Sequence, residues 1–238
     1  MNSGAIEERA RKRLIEFWEF QGKPDVAAFF PVDVQALIRT MGWECEAKDL
    51  VAIDRSTLES NVLGLCTIDE RGRHLVEVAT KEVVVGGTWS DPSVQRWTWA
   101  HEAGHIVLSH VESGKLVSGK KVYECRRMRS AVHRKEPIHR SPEEMTADIF
   151  ARALLMPERA VRDRFTQSFG RDRVWATRST YVELLRVSPP NGNDICADNL
   201  ADELVTHPDS SGKSICDFFG VSKRAARRRL TELRLVLS

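Results

Sequence analysis

The chain contains no Cys-x-x-Cys pair, no apolar run approaching the ~18 residues of a membrane span, and almost no net charge. Its five cysteines, Cys45, Cys66, Cys125, Cys196 and Cys216, are odd in number and widely spaced. That pattern argues against a disulfide framework and against a thiolate metal site, and reads as reduced thiols. Met1 to Arg13 is polar and lacks the apolar core of a secretory signal, so the expected location is cytoplasmic, with no membrane association. Lys and Arg number 36 against 34 Asp and Glu, a net charge of +2. The average field therefore says little about partners, and any steering must come from local clusters.

At 238 residues the chain is long enough for a main domain and a small appendage. Helical spacing runs from Ile6 to Phe20 and again from Val32 to Met41, with stops at Gly22-Lys23-Pro24 and Gly42. Trp43 to Ile53 and Val62 to Val78 read as a small sheet, the second run broken by a turn at Asp69-Glu70-Arg71-Gly72. Asp91-Pro92 opens a helix expected to reach Ser109. Glu112 to Arg140 is poorly periodic and rich in Lys and Arg; it reads as a solvated loop, with a partner-facing surface as the alternative. Ser141-Pro142-Glu143-Glu144 then starts a helix that runs to Leu155, with further helix through Leu185. Ser188-Pro189-Pro190-Asn191-Gly192-Asn193 and His207 to Lys213 are linker-like.

The chemistry concentrates at His101-Glu102-Ala103-Gly104-His105. Two histidines four apart on a helix differ by about 40° of rotation and one turn of rise, so both rings reach one metal ion. Glu102, next in sequence to the first histidine, is then beside the ion, placed to take a proton from a water that the metal activates. Gly104 keeps a side chain out of the packing near the metal. This is metallopeptidase chemistry, and it requires a third protein ligand. Val111 and Leu108 occupy the positions where the longer metzincin pattern needs histidine and glycine, which excludes that variant. His110, nine residues after His101, falls on the opposite face if the helix continues, and reads as a surface or helix-end histidine in preference to a ligand.

Glu144 and Asp148, four apart on the next long helix, share one face. The pair resembles the Glu-x-x-x-Asp of gluzincin-type sites, which implies Glu144 as third ligand and Asp148 as the acceptor that fixes the tautomer of a ligand histidine. The competing reading is that Glu144, third in the capping box opened by Ser141, only caps the helix, and local sequence leaves both open. Glu143 is the fallback ligand.

Trp97-Thr98-Trp99-Ala100-His101-Glu102-Ala103-Gly104-His105 matches the pattern (F/W)-T-x-A-H-E-x-G-H. Glu144, Ala147, Phe150, Ala151 and Leu154-Leu155-Met156-Pro157 match E-x-x-A-x-x-F-A-x-x-L-L-M-P. In this order the two resemble the ImmA/IrrE family of metallopeptidases, whose members cleave transcriptional repressors. The resemblance extends to Pro31-Val32-Asp33-Val34 through Gly42-Trp43. It implies zinc (Zn2+) held by His101, His105 and Glu144, Glu102 as general base, and a helix-turn-helix repressor as protein substrate. Residues 158–213 match no recognised pattern.

At the C-terminus a short helix at Ser214 to Phe219, a turn at Gly220-Val221 and a helix from Lys223 to Leu235 capped by Ser222 look like a helix-turn-helix, and family members often carry a similar segment. Lys223, Arg224, Arg227 and Arg228 are candidate DNA contacts. The favoured alternative is that Ala225, Ala226, Leu230 and Leu233 pack the segment structurally. Trp97 and Trp99 read as core under the site. Tyr123, His133, His139 and Tyr181 are each candidate donors to a developing oxyanion, and none is assigned.

The expected fold is α+β: a zincin-like metallopeptidase domain at residues 1–187, its small sheet packed on the motif helix, a linker at 188–213, and a helix-turn-helix-like unit at 214–238. The expected activity is a zinc endopeptidase acting on a repressor. A non-proteolytic regulator of the same fold, acting through DNA or protein contacts of its basic segments, is the alternative, and a general protein-degrading zincin is a third.

Overall fold

The computed structural model describes residues 2–22, 30–48, 50, 60–80, 82–84, 87–89, 91–113, 115–117, 120–128, 141–188, 190 and 195–238. The chain divides into two compact units, Met1–Gly22 with Asp33–Leu154, and Lys23–Val32 with Leu155–Ser238. Among the described residues no helix is long and apolar enough to cross a membrane.

The first unit opens with α1 (Ser3–Phe20), whose Ala5 N–H is capped by the Asn2 side chain at 2.8 Å. It buries Ile6, Ala10, Leu14, Phe17 and Trp18, a stripe at helical spacing. A second helix, α2 (Val34–Thr40), is capped by Asp33. The main sheet takes β1 (Glu44–Lys48), β2 (Ser60–Ile68), β3 (His74–Ala79), β6 (Lys115–Val117) and β7 (Lys120–Met128) in the order β1-β3-β2-β7-β6. β1 runs parallel to β3 and the other pairings are antiparallel. Two short strands, β4 (Glu82–Val84) and β5 (Gly87–Trp89), form a separate hairpin. The expected turn between β2 and β3 is present, held by Asp69, whose carboxylate accepts from the N–H groups of Arg71 and Arg73 at 2.9 Å each.

The expectation of a loop across Glu112 to Arg140 is corrected over its first half. Lys115–Val117 and Lys120–Met128 are strands, and β7 pairs along the length of β2, from Ser60↔Met128 to Ile68↔Lys121. Backbone pairing with a buried neighbour holds a strand whose own side chains are too basic to show the usual alternation. Residues 129–140 lie outside the described residues.

Register decides which strand residues face the motif helix. Gly64 and Cys66 on β2 sit across from Val78 and Val76 on β3, and Cys66 sits across from Tyr123 on β7. Paired residues point to the same side, so these form one face of the sheet. The alternate residues turn the other way, where Leu65 packs on Leu50 and Ala79.

Two long helices complete this unit, α3 (Pro92–Val107) and α4 (Pro142–Leu155). On α4, residues 144, 147, 148 and 151 form one stripe at i, i+3, i+4 and i+7 spacing. Its two apolar members, Ala147 and Ala151, are fully buried and small. Gly104 of α3 meets this stripe: a Cβ built there would stand 3.1 Å from Ala147 Cα, 3.2 Å from its carbonyl oxygen and 3.3 Å from Phe150 Cβ. The helices therefore touch nearly backbone to backbone.

In the second unit α5 (Glu158–Phe169) is followed by β8 (Val174–Trp175) and by helical turns from Arg178 to Leu185. The further helix expected through Leu185 is interrupted after Gly170, which is in left-handed conformation at the end of α5, by β8. A helix α6 (Ala197–Thr206) lies within the stretch read as linker, burying Leu200, Ala201, Leu204 and Val205 at helical spacing. Then come α7 (Ile215–Phe219), capped by Ser214 in a full capping box, and α8 (Lys223–Glu232), capped by Ser222. α8 stops short of the expected Leu235, and the chain turns into β9 (Val236–Leu237), which pairs with β8. Arg229 on α8 is buried, its Nε donating to Met156 O at 3.0 Å.

Gly104→Ala is expected to lower the stability of the protein by about 1–2 kcal/mol, net of the ~1 kcal/mol that alanine's helix propensity returns. The urea midpoint at unchanged slope measures it, and an unchanged or higher midpoint would contradict the close approach.

Candidate metal centre

α3 starts where Asp91 accepts from Ser93 N–H at 2.7 Å and Pro92 takes the first helical position. Thr98 to His105 are all buried, so the motif lies inside the unit. His101 and His105 bring their Nε2 atoms to 2.9 Å from one another. From α4, Glu144 reaches both: Oε2 is 3.2 Å from His101 Nε2 and Oε1 is 3.4 Å from His105 Nε2. One donor atom from each of the three residues lies within 4.8 Å of the others.

In a capping box the Glu144 carboxylate would turn back to the Ser141 N–H; here it meets the two histidines instead. The backbone N–H of Glu144 is capped by Ser141 Oγ at 3.3 Å. Glu143 instead hydrogen-bonds to its own N–H and to Ser141, which lowers its pKa. Asp148, one turn beyond Glu144, stands 3.0 Å from His101 Nδ1.

These residues fit a divalent metal. Ligand atoms each about 2.0–2.1 Å from a tetrahedral ion are ~3.3 Å apart, and the contacts here span 2.9 to 3.4 Å. Burial pushes the His105 pKa down to about 4, partly opposed by its hydrogen bond to Glu144, so the ring is neutral and available as a ligand at pH 7. Burial would raise the pKa of Glu144, but the two histidine rings against its carboxylate outweigh it and hold the carboxyl well below its ordinary range.

Glu102 is fully buried on the sheet side of α3. Cys66 Sγ donates to its Oε2 at 3.1 Å. A Cβ built at Gly64 would come within 2.7 Å of Glu102 Cδ, so the carboxylate occupies the space a side chain at 64 would need. Two small residues at alternate positions of β2 thus form its seat. Neither was singled out from sequence, although glycine inside an apolar strand is a legible mark of close approach.

His110 follows the end of the motif helix and faces back toward the donor cluster. α3 ends at Val107, Ser109 adopts a left-handed conformation at φ 61°, and His110 turns back so that its Nδ1 lies 2.9 Å from His105 Nδ1. No Gly or Pro marks the stop, so the sequence carries no signal for it. Tyr123 packs its ring 4.2 Å from that of His105, and its hydroxyl bonds to Ser141; burial first, and then Glu144, push its pKa up to about 12, so it stays a phenol. Of the other oxyanion candidates, His133 and His139 lie outside the described residues and Tyr181 is buried in the second unit. Trp99 is buried, in keeping with a core role, and Trp97 is half-buried.

Peptidase family M78, the IrrE N-terminal-like domain, matches residues 45–188, more than half of the chain. The chain belongs to this family. The match spans α3, α4 and all three members of the donor cluster, and M78 is a family of metallopeptidases. No curated protein matches the chain.

The candidate DNA contacts all lie on α8. Lys223 and Arg227 approach Asp202 of α6 at 4.0 and 3.6 Å, Arg228 pairs with Glu232 at 3.0 Å, and Arg224 is exposed.

The sign of the acid response follows from His105. Its pKa is about 4 in the fold against 6.5 ordinarily, so as pH falls the unfolded chain takes up the proton first. The contribution of this ring is full above pH 6.5 and is lost between pH 6.5 and 4. The urea midpoint of metal-stripped protein should fall across that window and fall less in His105→Gln; equal profiles would contradict the assignment.

Proposed function

We propose that the chain is a zinc-dependent endopeptidase of the cytoplasm whose substrate is a helix-turn-helix transcriptional repressor. The observation that carries the enzymatic reading is the convergence of His101, His105 and Glu144 beside a buried Glu102. The repressor rests on the resemblance of both helical motifs to the ImmA/IrrE pattern.

His101 and His105 would hold the metal through Nε2, and Glu144 through its carboxylate. Zinc, when bound there, supplies a Lewis acid that polarises the scissile carbonyl and lowers the pKa of a water. Asp148 accepts from His101 Nδ1–H, which keeps the opposite nitrogen bare. Glu102 takes the proton from the attacking water and passes it to the leaving amine, a transfer that contributes roughly 10²–10⁴-fold. The Cys66 thiol orients its carboxylate, and Gly64 leaves it room.

For α7 and α8 we favour a structural role for the helix-turn-helix-like segment. One of its arginines, Arg229, is spent on a buried carbonyl, and two of the four candidate contacts approach Asp202.

Glu102→Gln should retain zinc at wild-type stoichiometry and lose cleavage of the cognate repressor by about 10²–10⁴-fold; undiminished cleavage would reject the mechanism. Gly64→Ala should show the same pattern, because its Cβ displaces the base and leaves the ligands alone. A Gly64→Ala protein that is folded, zinc-loaded and fully active would show that the Glu102 seat is not needed.

A further inference from the structure

His101 has its carboxylate partner in Asp148, on α4. The corresponding nitrogen of His105 points elsewhere, to a second imidazole: its Nδ1 stands 2.9 Å from His110 Nδ1. His110 continues the path, with Nε2 3.4 Å from Thr146 Oγ1, and Thr146 Oγ1 donates to Glu143 O at 3.0 Å. The path thus runs from one histidine of the donor cluster to the peptide unit immediately before Glu144.

We propose that His110 is the positioning residue for His105, accepting from its Nδ1–H and so holding the ring with Nε2 bare toward the metal; this rests on the metal-site reading above. A metal on His105 Nε2 leaves one order for the protons. With a metal at His105 Nε2, its single proton is on Nδ1 and is donated to His110 Nδ1. His110 then carries its own proton on Nε2 and donates it to Thr146 Oγ1, leaving the threonine hydroxyl to donate to Glu143 O. The reverse order puts a proton on His105 Nε2, aimed at the nitrogen of His101 and the carboxylate of Glu144.

The backbone supports the assignment. His110 reaches this place only because Ser109 reverses the chain just after α3 in a conformation that costs a non-glycine residue about 1 kcal/mol or more. The chain keeps that cost at the residue that aims His110 back over the last turn of the motif helix.

The test is zinc affinity of the full chain, by competition with a chromophoric chelator, for wild type, His110→Leu and His110→Asn. Leucine fills the space without an acceptor and should weaken binding 10–100-fold, the usual effect of losing such a partner. Asparagine places Oδ1 where Nδ1 was and should restore affinity to within a few-fold of wild type. Equal affinities in all three, or asparagine no better than leucine, overturn the role of His110 while leaving the metal site standing. A wild-type chain that binds no zinc overturns both. Tautomers read from long-range ¹H–¹⁵N spectra of the zinc-loaded wild type provide a check that needs no variant: Nδ1–H at His105 with Nε2–H at His110 supports the relay, and the opposite pair overturns it.

Discussion

Helices α3 and α4 meet where Gly104 faces Ala147, and a single added carbon on the α3 side of that contact would press on backbone. The site depends on this spacing. Ligand atoms on two different helices converge only if the helix axes are closer than ordinary side chains allow, and small residues at the crossing are how packed helices achieve it. Once the crossing is fixed, helical geometry does the rest. His101 and His105 flank Gly104 along α3, and Glu144 and Asp148 are set at i−3 and i+1 from Ala147 along α4. The donor atoms of the candidate metal centre are thereby positioned by two rigid elements rather than by loops.

The sheet contributes on the other flank. β2 presents its smallest side chains, Gly64 and Cys66, toward Glu102, and β7 sets Tyr123 beside Cys66 in register and against the ring of His105. Glu102 is thus enclosed by strand and helix while the donor cluster opens between helices. A buried carboxylate is costly unless it finds donors, and the thiol of Cys66 is one of its partners. Charge, burial and steric room therefore set the orientation of this side chain together.

Much of this was readable from residues. The i, i+4 spacing of His101 and His105, and of Glu144 and Asp148, has one geometric consequence on a helix, and the four side chains meet accordingly. What escaped reading depends on contacts distant in sequence or on backbone without a marker residue. β7 reads as loop because its side chains do not alternate, and it is a strand because β2 offers a hydrogen-bonding edge. The direction His110 faces was not legible, because a helix extrapolated past Val107 turns it away and the left-handed Ser109 that turns it back is not a glycine. α6 was hidden between two polar breaks, although Leu200, Ala201, Leu204 and Val205 have helical spacing. Gly64 carried a signal that local reading passes over, since what a strand glycine makes room for is on another element.

The central claim is that His101, His105 and Glu144 together hold one divalent metal. Anomalous scattering from crystals grown with zinc tests it most directly. The account predicts one strong peak between His101 Nε2, His105 Nε2 and the carboxylate of Glu144, with Glu102 beside it and unliganded. No peak there, or a peak ligated by the histidines with Glu144 turned away, would contradict it.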